Sequence, residues 1–400
     1  MDHPVRPPAG RQPRPQLGDL LERSAELKRG LVDYVQGPRF ERQLTAALLE
    51  AAGDDLVLDE TRFIGIVDHF ALQHRLRDGR TPLQRYVATC PDLSEAEREM
   101  MLGWQDVVEG VFEIRAKDGD ALVLLNLLDD LEYRTYSNAG RVGLRGTVKG
   151  GFVVGRIVPI VPCPGTWLIS GSLAFFRKSD GPEVAEIALR AAVEHPALVF
   201  RNPDKLAQGW EQMRREREAF MAYFGTDQLV LPPAEAQNSV NAFTRHRWES
   251  ARTQSDRHDP AEPFPQHLSF TLPEDLADAD TVGIVYDQVE GMNFYRDYGL
   301  LDALFTDPAL ATSRRHASLL RSYMRDSSIT PLPIQRMAAA HPDTVDAVIG
   351  KVLRKPGFTW AEHGEAWLRE CKADFYQREP LPGVSVVGDR LAELVATGRR

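Results

Sequence analysis

Cysteine is scarce in this 400-residue chain. The three present, Cys90, Cys163 and Cys371, are odd in number and far apart, and no CxxC pair occurs. That argues against a disulfide framework or a zinc ribbon and suits a reducing, cytoplasmic setting. A basic excess is also missing. Lys and Arg number 48 against 58 Asp and Glu, a formal charge of −10, so any polyanion surface has to be a local patch. The ten histidines form no HExxH, and neither GxSxG nor GxGxxG occurs. No such motif names a reaction, so whether the chain is an enzyme stays open at this level. One run, Ile157 to Phe176, goes 20 residues without a charge. Pro159, Pro162, Pro164, Gly165 and Gly171 interrupt it, so it reads as two short strands around a turn and no membrane partner is expected. Residues 1–16 hold five prolines and no apolar stretch of the kind a signal peptide needs, and read as a disordered tail.

What is present is a globular composition, 43% apolar and 26% charged, over a length that suits two or three domains. The expected class is α+β and multi-domain. Residues 17–110 read as a helical domain. Ser94-Glu95-Ala96-Glu97 is a capping-box pattern opening a helix through Trp104 that stops near Gly110. Residues 111–180 turn β-branched and aromatic, with a hairpin signal at Asp118-Gly119. They read as a small β-module, an SH3-like or OB-like barrel or a curved sheet, although the Leu-rich run 121–131 also permits a helix. A helical segment follows over 181–226, then a polar, proline-containing linker over 227–265. Residues 266–400 read as a mostly helical C-terminal domain with a small sheet. Its strand candidate is Thr281–Tyr286, and helices are expected near 298–306, 313–326 and 343–354.

The stretches GWQDVVEGVFEI, GRIVPIVPCPGTWLISG and VGIVYDQVEGMNFY resemble uncharacterised proteins of high-GC bacteria. In some of these a SEC-C-type metal-binding tail follows, and that cysteine-rich motif is absent here. The resemblance implies no activity and assigns no functional residue.

The most unusual stretch is 134–178, with Arg134, Arg141, Arg145, Lys149, Arg156, Arg177 and Lys178 and no acid. Tyr136, Phe152, Trp167, Phe175 and Phe176 are interleaved with these cations. Cations beside aromatic platforms are what single-stranded DNA or RNA requires, and Gly140–Gly146 adds a flexible basic loop. The competing reading makes the rings barrel core and the cations a solvated face, or a dock for the acidic helical domain, whose residues 17–113 carry 19 acids against 11 bases. A second basic stripe, Arg314, Arg321 and Arg325 with Ser318, lies along one helix face opposite Leu320, Tyr323 and Met324. In the linker, Arg245, Arg247, Arg252 and Arg257 alternate with His246 and Trp248, a pattern that also suits RNA. Asp287 is expected directly after a strand, where it and Glu290 could hold Mg²⁺ for a metal-dependent hydrolase. The alternative is an Asx turn with Gly291 at positive φ. Asp106 and Glu109 form a further acidic pair at the expected helix end. Oligomeric state is not legible. The leading functional expectation is a polyanion-binding protein, with the hydrolase and a non-catalytic scaffold as rivals.

Overall fold

The computed structural model describes residues 16–52, 59–253 and 264–398. The tail expected over 1–16 falls almost wholly outside them. The fold is α+β, and the chain divides into two compact units: residues 1–206 with 385–400, and residues 207–384.

The first unit opens with α1 (Leu17–Gln36), α2 (Glu41–Ala52), α3 (Glu60–Leu72), α4 (Pro82–Thr89) and α5 (Glu95–Gly103). In α1, Leu20, Leu27, Leu31 and Val35 recur on one buried face, the spacing of an amphipathic helix. The capping box at Ser94 and Glu97 is present at the start of α5. That helix ends at Gly103, earlier than its composition suggests, because Val108 already pairs with a strand. Gly110 therefore lies within a strand, where the side chain of Asn126 fills the space that a Cβ would need.

Five strands form a closed barrel: β1 (Val108–Asp118), β2 (Ala121–Asn126), β3 (Glu132–Tyr136), β4 (Phe152–Pro159) and β5 (Thr166–Phe176). Their order is β1-β2-β3-β5-β4, with β1 pairing to β4 and a parallel β3–β5 contact closing the ring. This is the five-stranded Greek-key arrangement of an OB-type barrel. The Leu-rich run is strand β2, joined to β1 through a tight turn with Gly119 at φ +60°. Phe112, Ile114, Leu124, Tyr133 and Val153 help to fill the barrel. The register of β4 on β5 shifts between Gly155 and Arg156, and Gly171 at φ +71° carries the resulting bulge. Ala121, Tyr136, Val158, Ile160 and Leu168 share a second core with the five helices. The uncharged run 157–176 thus splits between β4 and β5. No helix among the described residues is long and apolar enough to cross a membrane.

After the barrel come α6 (Gly181–Glu194), α7 (Pro196–Val199) and α8 (Pro203–Phe224). The second unit continues through β6 (Gln228–Leu231) and α9 (Pro233–Thr253), so most of the linker expected over 227–265 is strand and helix, and its residues 254–263 lie outside the described residues. Pro233 sits in the first turn of α9, where its missing N–H costs nothing, and Ala236, Val240 and Phe243 form a buried helical face. The polar residues of α9 lie largely on its outward side. Arg247 pairs with Glu216 at 2.6 Å, Arg245 lies over Phe264, and Arg252 lies over Trp248. Arg257 lies outside the described residues. Next follow α10 (Glu274–Ala277), β7 (Val282–Asp287), β8 (Gly291–Arg296), α11 (Tyr298–Thr306), α12 (Arg314–Arg325), α13 (Leu332–Ala340), α14 (Val345–Leu353), α15 (Trp360–Cys371) and α16 (Ala373–Gln377). Strands β6, β7 and β8 make an antiparallel sheet.

Residues from 385 return to the first unit, where α17 (Asp389–Gly398) packs on α6. Lys205, 4% exposed, holds the exit and return points of the chain together. Its ammonium donates to the carbonyls of Leu128 (2.7 Å) and Val386 (3.4 Å) and pairs with Asp130 at 2.9 Å.

Candidate functional site

The cations of 134–178 separate into two classes. Arg134 pairs with Asp118 at 2.8 Å and lies over Tyr136, and Arg141 pairs with Asp120. Both are held by acids of the β1–β2 turn, a cross-strand neutralisation that the acid-free count hides. Arg156 is buried, 7% exposed, so it is corrected from a candidate polyanion contact to a structural group. Arg145, Lys149, Arg177 and Lys178 are exposed and make no ion pair among the described residues. Arg145 and Lys149 lie in the loop entering β4, while Arg177 and Lys178 follow β5. Because Phe152 pairs with Phe176, both segments leave the barrel at the same end. A Cβ placed on Gly150 would stand 3.4 Å from Cδ of Lys178, so the two loops touch.

The expected ring platforms need the same sorting. Tyr136 is buried in the core shared with the helices. Trp167 is half-buried, edge-on to Tyr133 and covered by Arg201 at 5.5 Å from its ring centroid. Neither presents an open face. Phe175, 52% exposed, is the open ring among the described residues of the stretch, and Val148 beside the β4 loop is exposed too. The glycine-rich loop is not loose: Gly140–Leu144 forms a 3-10 turn, and Leu144 plugs into the barrel core.

Arg156 belongs to a cluster that composition alone does not reveal. Asp68 on α3, 3% exposed, accepts from Arg156 Nε (3.0 Å), from Ser170 Oγ (2.7 Å) and from the Lys28 ammonium (2.7 Å). Lys28 also donates to Ser170 Oγ at 2.6 Å. Arg156 reaches on to Gln73 (2.7 Å) and to Glu109 (3.1 Å), its cross-strand neighbour on β1. Burial alone would raise the Asp68 carboxyl, but Lys28 and Arg156 outweigh it and hold the group below the usual carboxylate range. Lys28 and Ser170 resemble a nucleophile–base pair by distance. The Lys28 nitrogen donates to both Asp68 and Ser170 Oγ, however, so it is placed as a donor to the hydroxyl and not as its base. The sequence signal for Asp68 is an acid on the same helical stripe as Ile64, Val67 and Ala71, a position otherwise apolar. Cys163, in the turn between β4 and β5, is pushed up by burial and is not an activated thiol.

In the second unit the acidic candidates resolve as a turn. Asp287 Oδ1 accepts from the backbone N–H of Val289 (2.8 Å) and Glu290 (3.2 Å), with Gly291 at φ +73°. Glu290 accepts from Thr330 Oγ1 at 2.6 Å, and burial raises its carboxyl. The charge facing Asp287 is Arg336, which is bonded chiefly to Asp227. No group of three His, Cys, Asp or Glu among the described residues is placed to hold a metal ion; Asp287 makes the hydrogen bonds of the alternative Asx turn, and the Glu290 carboxylate is bonded to Thr330. The first unit's acidic pair is also separated: Asp106 receives both Nη atoms of Arg201 at 2.8 Å, and Glu109 takes Arg156.

The basic stripe of α12 is interrupted. Arg321 is half-buried and donates to the Val352 carbonyl at 2.9 Å, while Arg325 and Arg314 are exposed. Arg314 lines an open groove of about 620 Å³ with Arg296, Arg315 and Ser318. Arg315 there is neutralised by Asp280, and Arg296 stands 3.5 Å from Asp297. No family model, curated protein or solved structure matches the chain.

Proposed function

We propose that the chain is a cytoplasmic protein that binds a single-stranded polyanion, RNA or single-stranded DNA, through the cation-bearing surface at one end of its barrel. The observation that carries this reading is that four exposed cations with no ion pair among the described residues, Arg145, Lys149, Arg177 and Lys178, lie in the two segments that leave the barrel where β4 begins and β5 finishes, with the exposed Phe175 in the last residues of β5. Each cation that neutralises a phosphate releases counterions, and an exposed ring adds a stacking surface worth about 1–3 kcal/mol per base. The net charge of −10 opposes this only weakly, because its field is screened beyond about 8 Å at physiological ionic strength. The footprint differs from the expected one: Arg134 and Arg141 are already paired, and Phe175 takes the place of Tyr136 and Trp167.

The test is fluorescence anisotropy with short labelled RNA and DNA strands at two salt concentrations. With four contacts, log affinity should fall with log salt with a slope of about −3, taking roughly −0.7 per contact on a single strand. Lys149→Glu with Lys178→Glu should weaken binding and flatten that slope. A folded wild type that binds neither strand at low salt overturns the reading, as does a folded double variant with unchanged affinity.

A further inference from the structure

Beside the Asp68 cluster, between α1, α3 and β5, lies a cavity of about 220 Å³. Its apolar wall is built from Leu31, Val32, Phe63, Ile64, Val67 and Ile169, and Lys28 and Asp68 supply charge at its surface. An apolar cavity of about 150 Å³ accommodates benzene, so this one has room for a single ring or a short branched chain with a polar head. We propose that it binds a small monocarboxylate carrying such an apolar group, its carboxylate at Lys28.

Three observations favour an anion. Lys28 has three N–H donors, of which Asp68 and Ser170 take two; its ammonium also lies 5.3 Å from the Trp104 ring centroid, and the third N–H makes no hydrogen bond among the described residues. The charges withdrawn from water are those of the buried Arg156 and of Lys28, whose side chain is 14% exposed, against the single buried carboxylate of Asp68. Glu109, which also reaches Arg156, is 59% exposed, so water screens its contribution. Three of the roughly four acceptor sites of Asp68 are taken by Lys28, Ser170 and Arg156, so little of its capacity remains for a ligand's donor. At the rim, the side-chain amides of Gln36 and Asn138 make no hydrogen bond among the described residues and add neutral donors to the mouth. This site is separate from the cation-rich end of the barrel, so its fate is independent of nucleic-acid binding.

Benzoate and its neutral counterpart benzamide are the probes, with binding to the full chain followed by calorimetry. Benzoate should bind one per chain with a dissociation constant on the order of 1 mM or tighter, and benzamide about tenfold or more weakly. Ala71→Phe fills the cavity and leaves the charged cluster intact, so it should abolish binding. Val32→Phe, at a half-buried lining position, should do the same if the first variant does not fold. Lys28→Met should remove the preference for benzoate over benzamide. No saturable binding by the wild type up to about 10 mM benzoate overturns the proposal. Equal affinity for the two probes, or unchanged benzoate binding in a folded cavity-filling variant, does so as well.

Discussion

Arg156 and Lys149 come from the same acid-free stretch, yet the two regions that hold them treat positive charge in opposite ways. On the side of the barrel facing α1 and α3, Arg156 is stripped of water and bonded to Asp68, Glu109 and Gln73. At the end where β4 begins and β5 finishes, Lys149, Lys178, Arg145 and Arg177 remain solvated and unpaired among the described residues. A count of charge per segment makes these regions identical. Burial makes the first a structural tie and the second an available surface. Removing a partner from a buried pair leaves an uncompensated charge, whereas an exposed cation away from other contacts contributes little to stability.

The largest contrast should appear in unfolding free energy. Asp68→Ala strands the buried Arg156 and the half-buried Lys28 and should cost about 3–5 kcal/mol by denaturant titration, while Arg145→Ala should stay within about 0.5 kcal/mol. Similar losses in both variants would erase the distinction between the regions. A pH series sharpens it. The Asp68 carboxyl is depressed in the folded state, so its contribution is full above the unfolded value of about 3.9 and is lost as pH falls through the lower folded value. The unfolding midpoint of the wild type should therefore drop across that acid window more steeply than that of Asp68→Asn. On the open side the effect belongs to binding. Lys149→Glu with Lys178→Glu should lower single-strand affinity about tenfold or more at low salt, and Arg134→Glu, whose charge Asp118 already meets, should lower it less. The smallest expected change lies in the second unit. Asp287→Ala removes two turn hydrogen bonds and should cost about 1 kcal/mol, with metal content by elemental analysis the same as wild type.

Local features were the legible ones. The β-branched runs and the Asp118-Gly119 signal mark β1, β2, β4 and β5, and the periodicity of Leu320, Tyr323 and Met324 marks the buried face of α12. The capping box of α5 is equally local. Misreadings arose where one residue type serves two structures. Pro233 reads as linker punctuation but starts α9, and Gly110 reads as a helix stop but gives Asn126 room inside the barrel. The Asp68–Arg156 contact joins residues 88 apart, and the turn acids that neutralise Arg134 and Arg141 lie 16 and 21 residues upstream. Such partners depend on how the barrel closes, which no local window contains. The same limit applies to the candidate surface: the stretch was visible as basic, but which of its cations stay free is a consequence of strand register.

The return of α17 to the first unit carries a consequence for synthesis. Arg390 bonds both carboxylate oxygens of Glu113, at 2.8 and 3.1 Å, and Leu391 and Leu394 are buried. These groups leave the ribosome after the whole of residues 207–384, although the barrel they complete is made before them. N-terminal domains generally fold first as the chain emerges. Here the earlier unit has to wait with Glu113 and the face of α6 uncovered while the later unit is translated, and Lys205 cannot bond Val386 until that point. A nascent chain stalled before residue 385 should therefore be cut by protease within the barrel-bearing unit more readily than the released protein, making the docking of residues 385–398 the step that finishes the first domain.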